Sequence, residues 1–573
     1  MPSDPPPSVD APASIAPASA ASFEPGPSVD VPASIAPASA ARFEPAPLDG
    51  PPSSGPDTHP DTRPTVLAVR ALDVALPDGT VLVAQADLDL AEGQIIALVG
   101  PSGSGKSTLV RAVVAPGELR RIGYAVSFAE RQLEAPVAFI PQRGALFDHL
   151  DVAGNIALAQ RAGGTTESVG DILRSVDLDA ALAHPGTSVA TLSGGQAQRV
   201  AVARTLAAGR KILVLDEPSV GLDPLGVRRL ARLLVEQARA RGVAVLLITH
   251  DLALAAGASD RVLFLDPARR ALVDVVPTWP GPAELADEDE RRAEVARLDA
   301  AMERLLDGAA APAARPRTRR AAIPDGPGHL HVAGAAIRHA LDPRLFGPSL
   351  GVMARAFKQS FLKPMLFYGV VGALLGFTVL YIIAKMSADL RALAVLRLVG
   401  GTYILSLAPP LSAILFAATS GNAINAWLGG MALGRQITAL DGIGVPAPRY
   451  LWSPAWIALA LAYVLTVLVF VAAMIAGGYA LFQLYGGKDA IAVLTSDFID
   501  PAPGRAPYLV RGIWLVICYA VAIATIVVQR GVAHKDEAAH VTAAMTSAVV
   551  RVTLFVVAME LASVMVLFAV VGK

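Results

Sequence analysis

The sequence predicts a parallel α/β domain followed by an all-α membrane domain. Short apolar runs alternate with amphipathic stretches between about residues 66 and 275, as in a parallel α/β domain. Long uncharged apolar segments follow after about residue 346. The chain of 573 residues is 53% hydrophobic and only 17% charged, with a mean hydropathy of +0.50. Because a soluble domain has about 25% charged residues, the excess of apolar side chains indicates membrane spans.

The first region, residues 1–65, is rich in Pro, Ala and Ser and holds a tandem repeat whose copies begin at Pro7 and Pro27, 20 residues apart. Two proline-dense copies cannot build the stacked core of a solenoid. The sequence therefore predicts a disordered tail. After it we expect an α/β domain over residues 66–275, a charged linker over 276–345 and a membrane domain over 346–573. Within the linker, the charge pattern from Glu284 to Leu306 predicts a solvated helix.

The charge balance limits the kinds of partner. The net charge is −1, so no strongly basic face is indicated and we expect no nucleic-acid partner. The only cysteine, Cys518, excludes an intrachain disulfide. The N-terminus lacks the basic and apolar regions of a secretory signal, so we expect the N-terminal half to remain in the cytoplasm.

A phosphate-binding loop of the form G-x-x-x-x-G-K-[ST] runs from Gly100 to Ser107. It follows a strand-like run, Ile95 to Val99, and precedes a helix-like run, Thr108 to Val114, which is the context that the motif requires. The glycines allow backbone N–H groups to surround phosphate oxygens at the positive end of the helix. Lys106 is expected to neutralise the β- and γ-phosphates, and the Ser107 hydroxyl to ligate Mg²⁺. The expected phosphate-binding residues are Gly100, Ser102, Gly103, Ser104, Gly105, Lys106, Ser107 and Thr108.

Further motifs follow this loop in a fixed order. Leu192–Gln196 has the sequence LSGGQ, and Ile212–Glu217 is an apolar run that ends in two carboxylates. Gln142 precedes them and His250 follows the last apolar run of the domain. Together with the phosphate-binding loop, this set resembles the ATP-binding cassette (ABC) ATPases, including the MlaF-like ones. The resemblance implies binding and hydrolysis of ATP with Mg²⁺ as cofactor.

The resemblance implies a role for each of these residues. Asp216 would hold Mg²⁺ through water, because hard cations prefer oxygen ligands, and Gln142 would sense the metal. Glu217 would polarise the attacking water, and His250 would contact the γ-phosphate. The implied catalytic residues are Glu217, His250 and Gln142, and the implied metal ligands are Ser107, Gln142 and Asp216. In this family the γ-phosphate of the other subunit is met by the residues corresponding to Ser193, Gly194, Gly195 and Gln196.

One residue of the ATPase half departs from the family pattern. The family usually stacks adenine on an aromatic ring before the phosphate-binding loop, whereas the corresponding stretch here offers Leu76. Stacking of a base on an aromatic ring contributes about 1–3 kcal/mol in nucleic-acid complexes. We therefore expect weaker nucleotide affinity or a relaxed base preference, with hydrolysis retained.

The membrane domain contains apolar segments long enough to cross a bilayer. They lie near residues 364–384, 394–418, 454–482, 509–528 and 543–571. Before them, Gly351 to Lys363 predicts an interfacial amphipathic helix. Basic residues in the loops near 431–453 and 530–537 place those loops in the cytoplasm, and acidic residues place the loop 484–508 outside.

Four stretches of the membrane domain resemble MlaE-type permeases, which transport phospholipids in bacteria together with MCE-domain proteins. They are Ala408–Ala413, Gly429–Met431, Gln436–Gly444 and Pro448–Leu451. In that family the stretch that corresponds to Gln436–Leu440 docks onto the ATPase. The resemblance implies ATP-driven phospholipid transport at the bacterial cytoplasmic (inner) membrane, the ATPase domain in the cytoplasm, and an MCE-type periplasmic partner. This chain departs from the family at four positions: the family has Arg where this chain has Thr419, Glu where it has Trp427 and Arg435, and Asp where it has Thr438.

A single chain carries one cassette, whereas the composite ATP site of the family needs two, so we expect a homodimer. One alternative is a half-size exporter of other hydrophobic compounds, but such exporters place six long spans before the ATPase. A second alternative is a non-transporting ATP-dependent regulator of a membrane complex. The presence of Glu217 and His250 argues against it, because a switch that only binds ATP has little use for a catalytic carboxylate.

Overall fold

The computed structural model describes residues 63–121, 123–141, 145–275, 282, 288–307, 328–340, 349–386, 394–395, 399, 401–485, 489–499, 506–535 and 537–571. The predicted disordered tail lies outside these residues except at its last positions. Gln142 also lies outside them, so its proposed roles stay predictions.

The described part of the α/β domain contains two sheets. Their strands are β1 (Thr65–Ala75), β2 (Val81–Ala91), β3 (Ile95–Val99), β4 (Ala125–Ser127), β5 (Glu130–Leu133), β6 (Val137–Ile140), β7 (Ile212–Asp216), β8 (Ala244–Ile248), β9 (Arg261–Asp266) and β10 (Ala271–Asp274). The larger sheet has the order β10-β9-β3-β8-β7-β6 and is parallel except for the pair of β9 and β10. In the smaller, antiparallel sheet β1 pairs with β2, β4 and β5.

The parallel strands form where the sequence is continuously apolar. All five residues of β3 and of β8 are buried, as expected for strands with helices on both faces. β3 coincides with the strand-like run Ile95–Val99, and the apolar run that begins at Ile212 forms β7. Because the carboxyl ends of parallel strands lie at one edge of a sheet, the loops after β3, β7 and β8 are brought together there.

Helices connect and cover the sheets. They are α1 (Lys106–Val114), α2 (Pro116–Arg121), α3 (Val152–Gly163), α4 (Val169–Ser175), α5 (Gly194–Ala207), α6 (Pro224–Arg241) and α7 (Leu252–Ala258), with 3₁₀ turns at Ala180–Ala183 and Val189–Thr191. Two more helices lie in the region predicted as a linker, α8 (Glu288–Asp307) and α9 (His329–Ala340). α8 is not fully solvated as predicted, because Leu298 and Ala301 are buried where it packs against α7.

The described part of the membrane domain consists of helices joined by short turns. Its helices are α10 (Ser349–Phe357), α11 (Met365–Met386), α12 (Thr402–Phe416), α13 (Asn422–Leu433), α14 (Gln436–Gly442), α15 (Ser453–Leu484), α16 (Ala490–Ile499), α17 (Ala506–Val532) and α18 (Ala538–Val571). π-helical turns occur at Lys358–Leu362, Ala417–Gly421 and Pro448–Trp452. Five helical segments of the described chain are long and apolar enough to cross a membrane, which confirms the predicted number. We number them as the first span (Ser349–Met386), second span (Thr402–Leu433), third span (Pro448–Leu484), fourth span (Ala506–Val532) and fifth span (Ala538–Leu567).

The second span differs from its prediction. It was expected near 394–418, but it continues to Leu433. Its second half contains polar residues that lower the hydropathy, and two of them form hydrogen bonds to other spans within the fold. Asn425 is fully buried and donates to the carbonyl of Val527 at 3.3 Å, and the Ser420 hydroxyl donates to the carbonyl of Ser360 at 2.6 Å. Hydropathy alone therefore placed the end of this span too early.

The first span packs closely on the third span. A Cβ added at Gly376 would lie 2.2 Å from the carbonyl oxygen of Met474, and one added at Gly477 would lie 2.0 Å from that of Ala373. Only glycine allows the two helix backbones to approach this closely. The predicted interfacial helix corresponds to α10 and the π-helical turn after it, which lead into α11 with only Lys363 and Pro364 between them.

Candidate active site

The phosphate-binding loop occupies the turn between β3 and α1, as predicted. The Lys106 ammonium donates to the carbonyls of Gly100 at 2.8 Å and Pro101 at 3.1 Å. Lys106 is 7% exposed, and burial lowers the pKa of its ammonium, whereas the nearby carboxylates of Glu217 and Asp216 raise it. The loop thus holds the Lys106 ammonium at the start of α1. The N-terminus of a helix also favours anions, so both features suit a bound phosphate.

The loop needs glycine at defined positions. Gly105 has φ of +102°, and a Cβ there would lie 2.3 Å from Cδ1 of Leu82. Gly103 has φ of +77° but no heavy atom within 4 Å of such a Cβ. At Gly105 the backbone conformation favours glycine and a Cβ would also displace the Leu82 side chain, whereas at Gly103 the conformation alone favours glycine.

The carboxylates at the end of β7 lie at the same edge of the sheet as the phosphate-binding loop, with β8 between β7 and β3. The Ser107 hydroxyl donates to Oδ1 of Asp216 at 3.0 Å. Burial raises the pKa of Asp216, and the Ser107 hydrogen bond and the positive charges of Arg111 and Arg435 oppose this rise. Arg435 belongs to the membrane domain, so that domain contributes to the electrostatic potential at this carboxylate.

Glu217 and His250 lie together at the same edge of the sheet. Nδ1 of His250 and Oε2 of Glu217 are 2.5 Å apart, and the Glu217 backbone N–H donates to the carbonyl of Ile248 at 2.8 Å. Glu217 has φ of +52°, a conformation that a non-glycine residue adopts only when its surroundings impose it. The Glu217 carboxylate, strained at the backbone and in contact with His250, is therefore well placed to activate a water molecule.

The LSGGQ stretch begins α5. Ser193 caps this helix: its hydroxyl accepts from the N–H of Gln196 at 3.3 Å, and the Gln196 side chain accepts from the N–H of Ser193 at 2.9 Å. A Cβ added at Gly195 would lie 3.3 Å from Leu222, in the loop after β7. The phosphate-binding cavity of the same chain is not lined by these residues.

An open cavity of about 400 Å³ adjoins the phosphate-binding loop, which is within the usual range for a small-molecule site. Besides loop residues it is lined by Leu76, Leu82, Tyr124 and Glu217. Sequence reasoning identified Leu76 as a missing aromatic ring and overlooked Tyr124. The turn at Gly123 lies close to Pro77, so the Tyr124 ring shares the cavity wall with Leu76 although the two residues are far apart in the sequence.

We predict that Tyr124 supplies the aromatic contact to adenine that Leu76 cannot. Tyr124→Ala should weaken ATP binding about tenfold, because stacking of a base on a ring contributes about 1–3 kcal/mol. Tyr124→Phe keeps the ring and should bind ATP like the wild type. Titration with a fluorescent ATP analogue measures both affinities. Equal affinity of Tyr124→Ala and the wild type would contradict the prediction.

The membrane domain contacts the ATPase domain through α14, which packs against β6. A Cβ at Gly442 would lie 3.2 Å from the backbone nitrogen of Phe139, and one at Gly444 would lie 1.8 Å from the Arg210 guanidinium. α14 contains the stretch that the MlaE resemblance implies as the docking loop, and in this chain it does lie on the ATPase domain. Phe139 immediately precedes the segment that contains Gln142.

A second contact with the membrane domain was not foreseen from the sequence. The side chain of His149, in the loop before α3, is 3% exposed, and its Nε2 is 2.9 Å from the Tyr450 hydroxyl. Its ring also meets Trp427 edge-on, with centroids 6.2 Å apart, and its carbonyl accepts from Arg355 at 3.3 Å. Burial, and then the charge of Arg355, lower the pKa of His149 to about 4, so the ring is neutral at pH 7.

The loop that carries His149 is held by the helix that begins with LSGGQ. Arg204, on α5, is 1% exposed; its guanidinium lies 4.5 Å from the centre of the Phe147 ring and donates to the carbonyl of Ala145 at 2.8 Å. Asn155 bonds both the N–H and the carbonyl of Phe147. A continuous chain of contacts therefore connects α5 to the membrane domain through His149.

We predict that His149 transmits movement between the domains. His149→Ala should lower the amount of cargo moved per ATP hydrolysed about five- to tenfold, because a hydrogen bond and the packing of a buried ring are lost. Tyr450→Phe should have part of this effect, and His184→Ala, at an exposed histidine of the same domain, should have none. Transport and hydrolysis measured in the same vesicles give the ratio. An unchanged ratio in His149→Ala would show that the contact only supports docking.

Comparison with known proteins agrees with both halves of the chain. The family model described as ABC transporter matches residues 83–220, and the model described as Permease MlaE matches residues 353–566. A model for an AAA domain also matches residues 187–256, within the ATPase domain. The aliphatic sulfonates import ATP-binding protein SsuB 1 of Pseudomonas savastanoi is 36% identical over 225 residues, which are 39% of this chain and 88% of that protein.

The chain belongs to the ABC transporter family. Its ATPase domain is an ATP hydrolase that binds ATP, and it is fused to an MlaE permease domain in a multi-pass membrane protein. The sulfate/thiosulfate import ATP-binding protein CysA of Caulobacter vibrioides is 39% identical over 194 residues, 32% of this chain and 57% of that protein. A solved structure titled as an ATP binding subunit of an ABC transporter has a TM-score of 0.31 and 25% identity, and covers 40% of this chain and 100% of that one.

Proposed function

We propose that this ABC transporter uses ATP hydrolysis to move a phospholipid or a related lipid at the bacterial cytoplasmic membrane. The observation that carries the proposal is the presence of an MlaE permease domain on the same chain as the ATPase, in contact with it through α14. The spans support an amphiphilic cargo, since they contain a single acidic residue and would furnish a hydrophilic ion path poorly. The import ATP-binding proteins named above match 32% and 39% of this chain, so their cargoes are not carried over to it.

The ATPase residues have defined tasks in this proposal. Lys106 and the N–H groups of its loop would bind the phosphates, and Glu217 would accept a proton from the attacking water. His250, in hydrogen-bond contact with Glu217, would orient that carboxylate and meet the γ-phosphate. Ser107 and Asp216 would hold Mg²⁺, since their oxygens already converge within 3.0 Å. The ion would neutralise phosphate charge.

The working unit in this proposal is a homodimer. Ser193 and the glycines after it begin a helix whose N–H groups suit an anion, yet they do not line the cavity of their own chain. A second copy would bring them against the γ-phosphate and complete each site. Closure of the two cassettes on ATP would then move α14 and the His149 contact, and an MCE-type partner would receive or deliver the lipid outside.

The test is mass spectrometry of the lipids that remain on the purified full chain, comparing the wild type with Glu217→Gln. The variant should accumulate the ATP-bound state, so a lipid transporter should retain one phospholipid class selectively and to a different extent in the two proteins. Retention of bulk membrane lipid, unchanged by the variant, would overturn the proposal. Stimulation of hydrolysis by other hydrophobic compounds would then favour an exporter, and hydrolysis without any cargo would favour a regulator.

A further inference from the structure

The charged residues of the spans do not balance. Within the five spans Glu560 is the only acidic residue, whereas several basic residues are present. Arg355, Lys358 and Lys363 belong to α10 and the segment between it and α11, which the sequence predicts to be interfacial. Lys385, Arg449 and Arg530 lie within two residues of a span end, where the side chain can reach water or lipid head groups. Arg511 lies five residues after the start of the fourth span and pairs with Glu560, whereas Arg551 lies near the middle of the fifth span. These two arginines therefore have one span carboxylate between them.

Arg511 already uses that carboxylate. Glu560 forms an ion pair with the Arg511 guanidinium and accepts from the Tyr519 hydroxyl at 2.8 Å. The remaining Arg511 contact is Nε to the Ser563 hydroxyl at 2.9 Å. The Arg511 side chain is 9% exposed and that of Glu560 is 22% exposed. This cluster is neutral and its polar atoms are satisfied between the fourth and fifth spans.

Arg551 is the cation that remains. It lies about 20 Å along the helix from Ala538 and about 24 Å from Leu567, at 1.5 Å per residue, and therefore near the middle of the fifth span. Its side chain is half-buried. Among the residues that the structure describes, Arg551 has no hydrogen bond, ion pair or ring contact. A cation at the centre of a bilayer is costly unless an anion or water accompanies it.

We propose that Arg551 binds the phosphate of the transported amphiphile while the acyl chains occupy the apolar surface around it. This inference rests on the proposed function and names the residue that would recognise the cargo. A guanidinium offers several donors in a planar fork that matches phosphate oxygens. A second copy of the chain does not remove the need for an external anion, because its Glu560 is held by its own Arg511.

The position of Arg551 suits a ligand that enters from the bilayer. Val550 and Leu554, on either side of it in the sequence, are exposed, and the fifth span packs against the second and fourth spans. A phosphate at the middle of the span has left the lipid surface, as a transported head group must. Free inorganic phosphate offers the same charge without the acyl chains, so the experiment must distinguish the two sources.

The test uses the full chain in nanodiscs, with phosphatidic acid, diacylglycerol of the same acyl chains, and inorganic phosphate as probes. The wild type should bind phosphatidic acid at least about tenfold more tightly than diacylglycerol, as expected for a charge-assisted bidentate contact. Arg551→Leu should lose this preference, and Arg551→Lys should keep part of it. Arg338→Leu, at an exposed arginine of α9, is the matched control and should bind like the wild type.

Three outcomes would overturn the inference. The first is an unchanged preference in Arg551→Leu while the wild type does prefer phosphatidic acid; the proposed function then survives. The second is equal competition by millimolar inorganic phosphate, which would make this a site for a free anion. The third is that Arg551→Leu loses the preference and its dimer also dissociates, which would make Arg551 a subunit contact. If Arg551→Lys stays dimeric, its preference for phosphatidic acid reports lipid binding separately from dimer stability. No binding of either lipid by the wild type would instead defeat the proposed function.

Discussion

Glu217→Gln should reduce ATP hydrolysis by about 10²–10⁴-fold while ATP affinity stays close to that of the wild type, because general-base catalysis contributes a factor of this size. Glutamine has nearly the shape of glutamate but cannot take a proton from water. The backbone at Glu217 has φ of +52° and should be strained to the same extent with glutamine. The loss is therefore expected in the chemical step rather than in folding or binding.

The contact with His250 makes this prediction more specific. Nδ1 of His250 is 2.5 Å from the Glu217 carboxylate, so the histidine orients the group that activates water. His250→Ala should lower hydrolysis less than Glu217→Gln does, since the carboxylate remains in place. Single-turnover hydrolysis and an independent binding titration separate the two steps.

Glu236→Gln is the matched control, because Glu236 is an exposed carboxylate on α6 of the same domain. It should hydrolyse ATP like the wild type. Ordinary turnover by Glu217→Gln would show that another group activates the water, and the assignment of the carboxylate would be wrong.

Lys106→Ala should weaken ATP binding about a hundredfold or more, since each hydrogen bond between charged groups contributes about 1.5–3 kcal/mol and two phosphates are contacted. In the structure the Lys106 ammonium donates to the carbonyls of Gly100 and Pro101. These contacts hold the cation in position before a nucleotide arrives. Removing the Lys106 ammonium leaves only the backbone N–H groups of the loop to bind the phosphates.

The control for this variant is Lys211→Ala, at a lysine whose side chain is 58% exposed and paired with Glu92. Its loss should leave ATP affinity unchanged, since exposed ion pairs contribute little. Because Lys106 is buried, thermal unfolding of Lys106→Ala should be measured beside binding. If Lys106→Ala is folded and binds ATP with wild-type affinity, the interpretation of the loop as a phosphate site is wrong.

The local motifs were predictable because each depends on neighbours in the chain. The phosphate-binding loop needs a strand, a run of glycines and a helix in succession, and all three occur between Ile95 and Val114. The five spans were predictable for a similar reason, since length and apolarity are properties of a continuous segment. Gln142 remains a prediction, because it lies outside the described residues.

Other features depend on segments that are distant in the sequence. The Tyr124 ring shares the nucleotide cavity with Leu76 because the turn before β4 folds onto the one before β2. His149 reaches Tyr450 across 301 positions of sequence. Arg511 and Glu560 pair because the fourth and fifth spans pack side by side. No periodicity within either partner's own segment indicates these contacts.

The sequence by itself therefore determined the order of the domains, the ATPase motifs and the number of spans. The tertiary structure decided how the ATPase contacts the permease, where an aromatic ring meets the nucleotide cavity, and which arginine of the spans lacks an anion. The physical reason is the range of the interactions. Turns, helix starts and apolar length are set within a few consecutive residues, whereas packing and charge pairing are set by whichever segments the whole chain brings together.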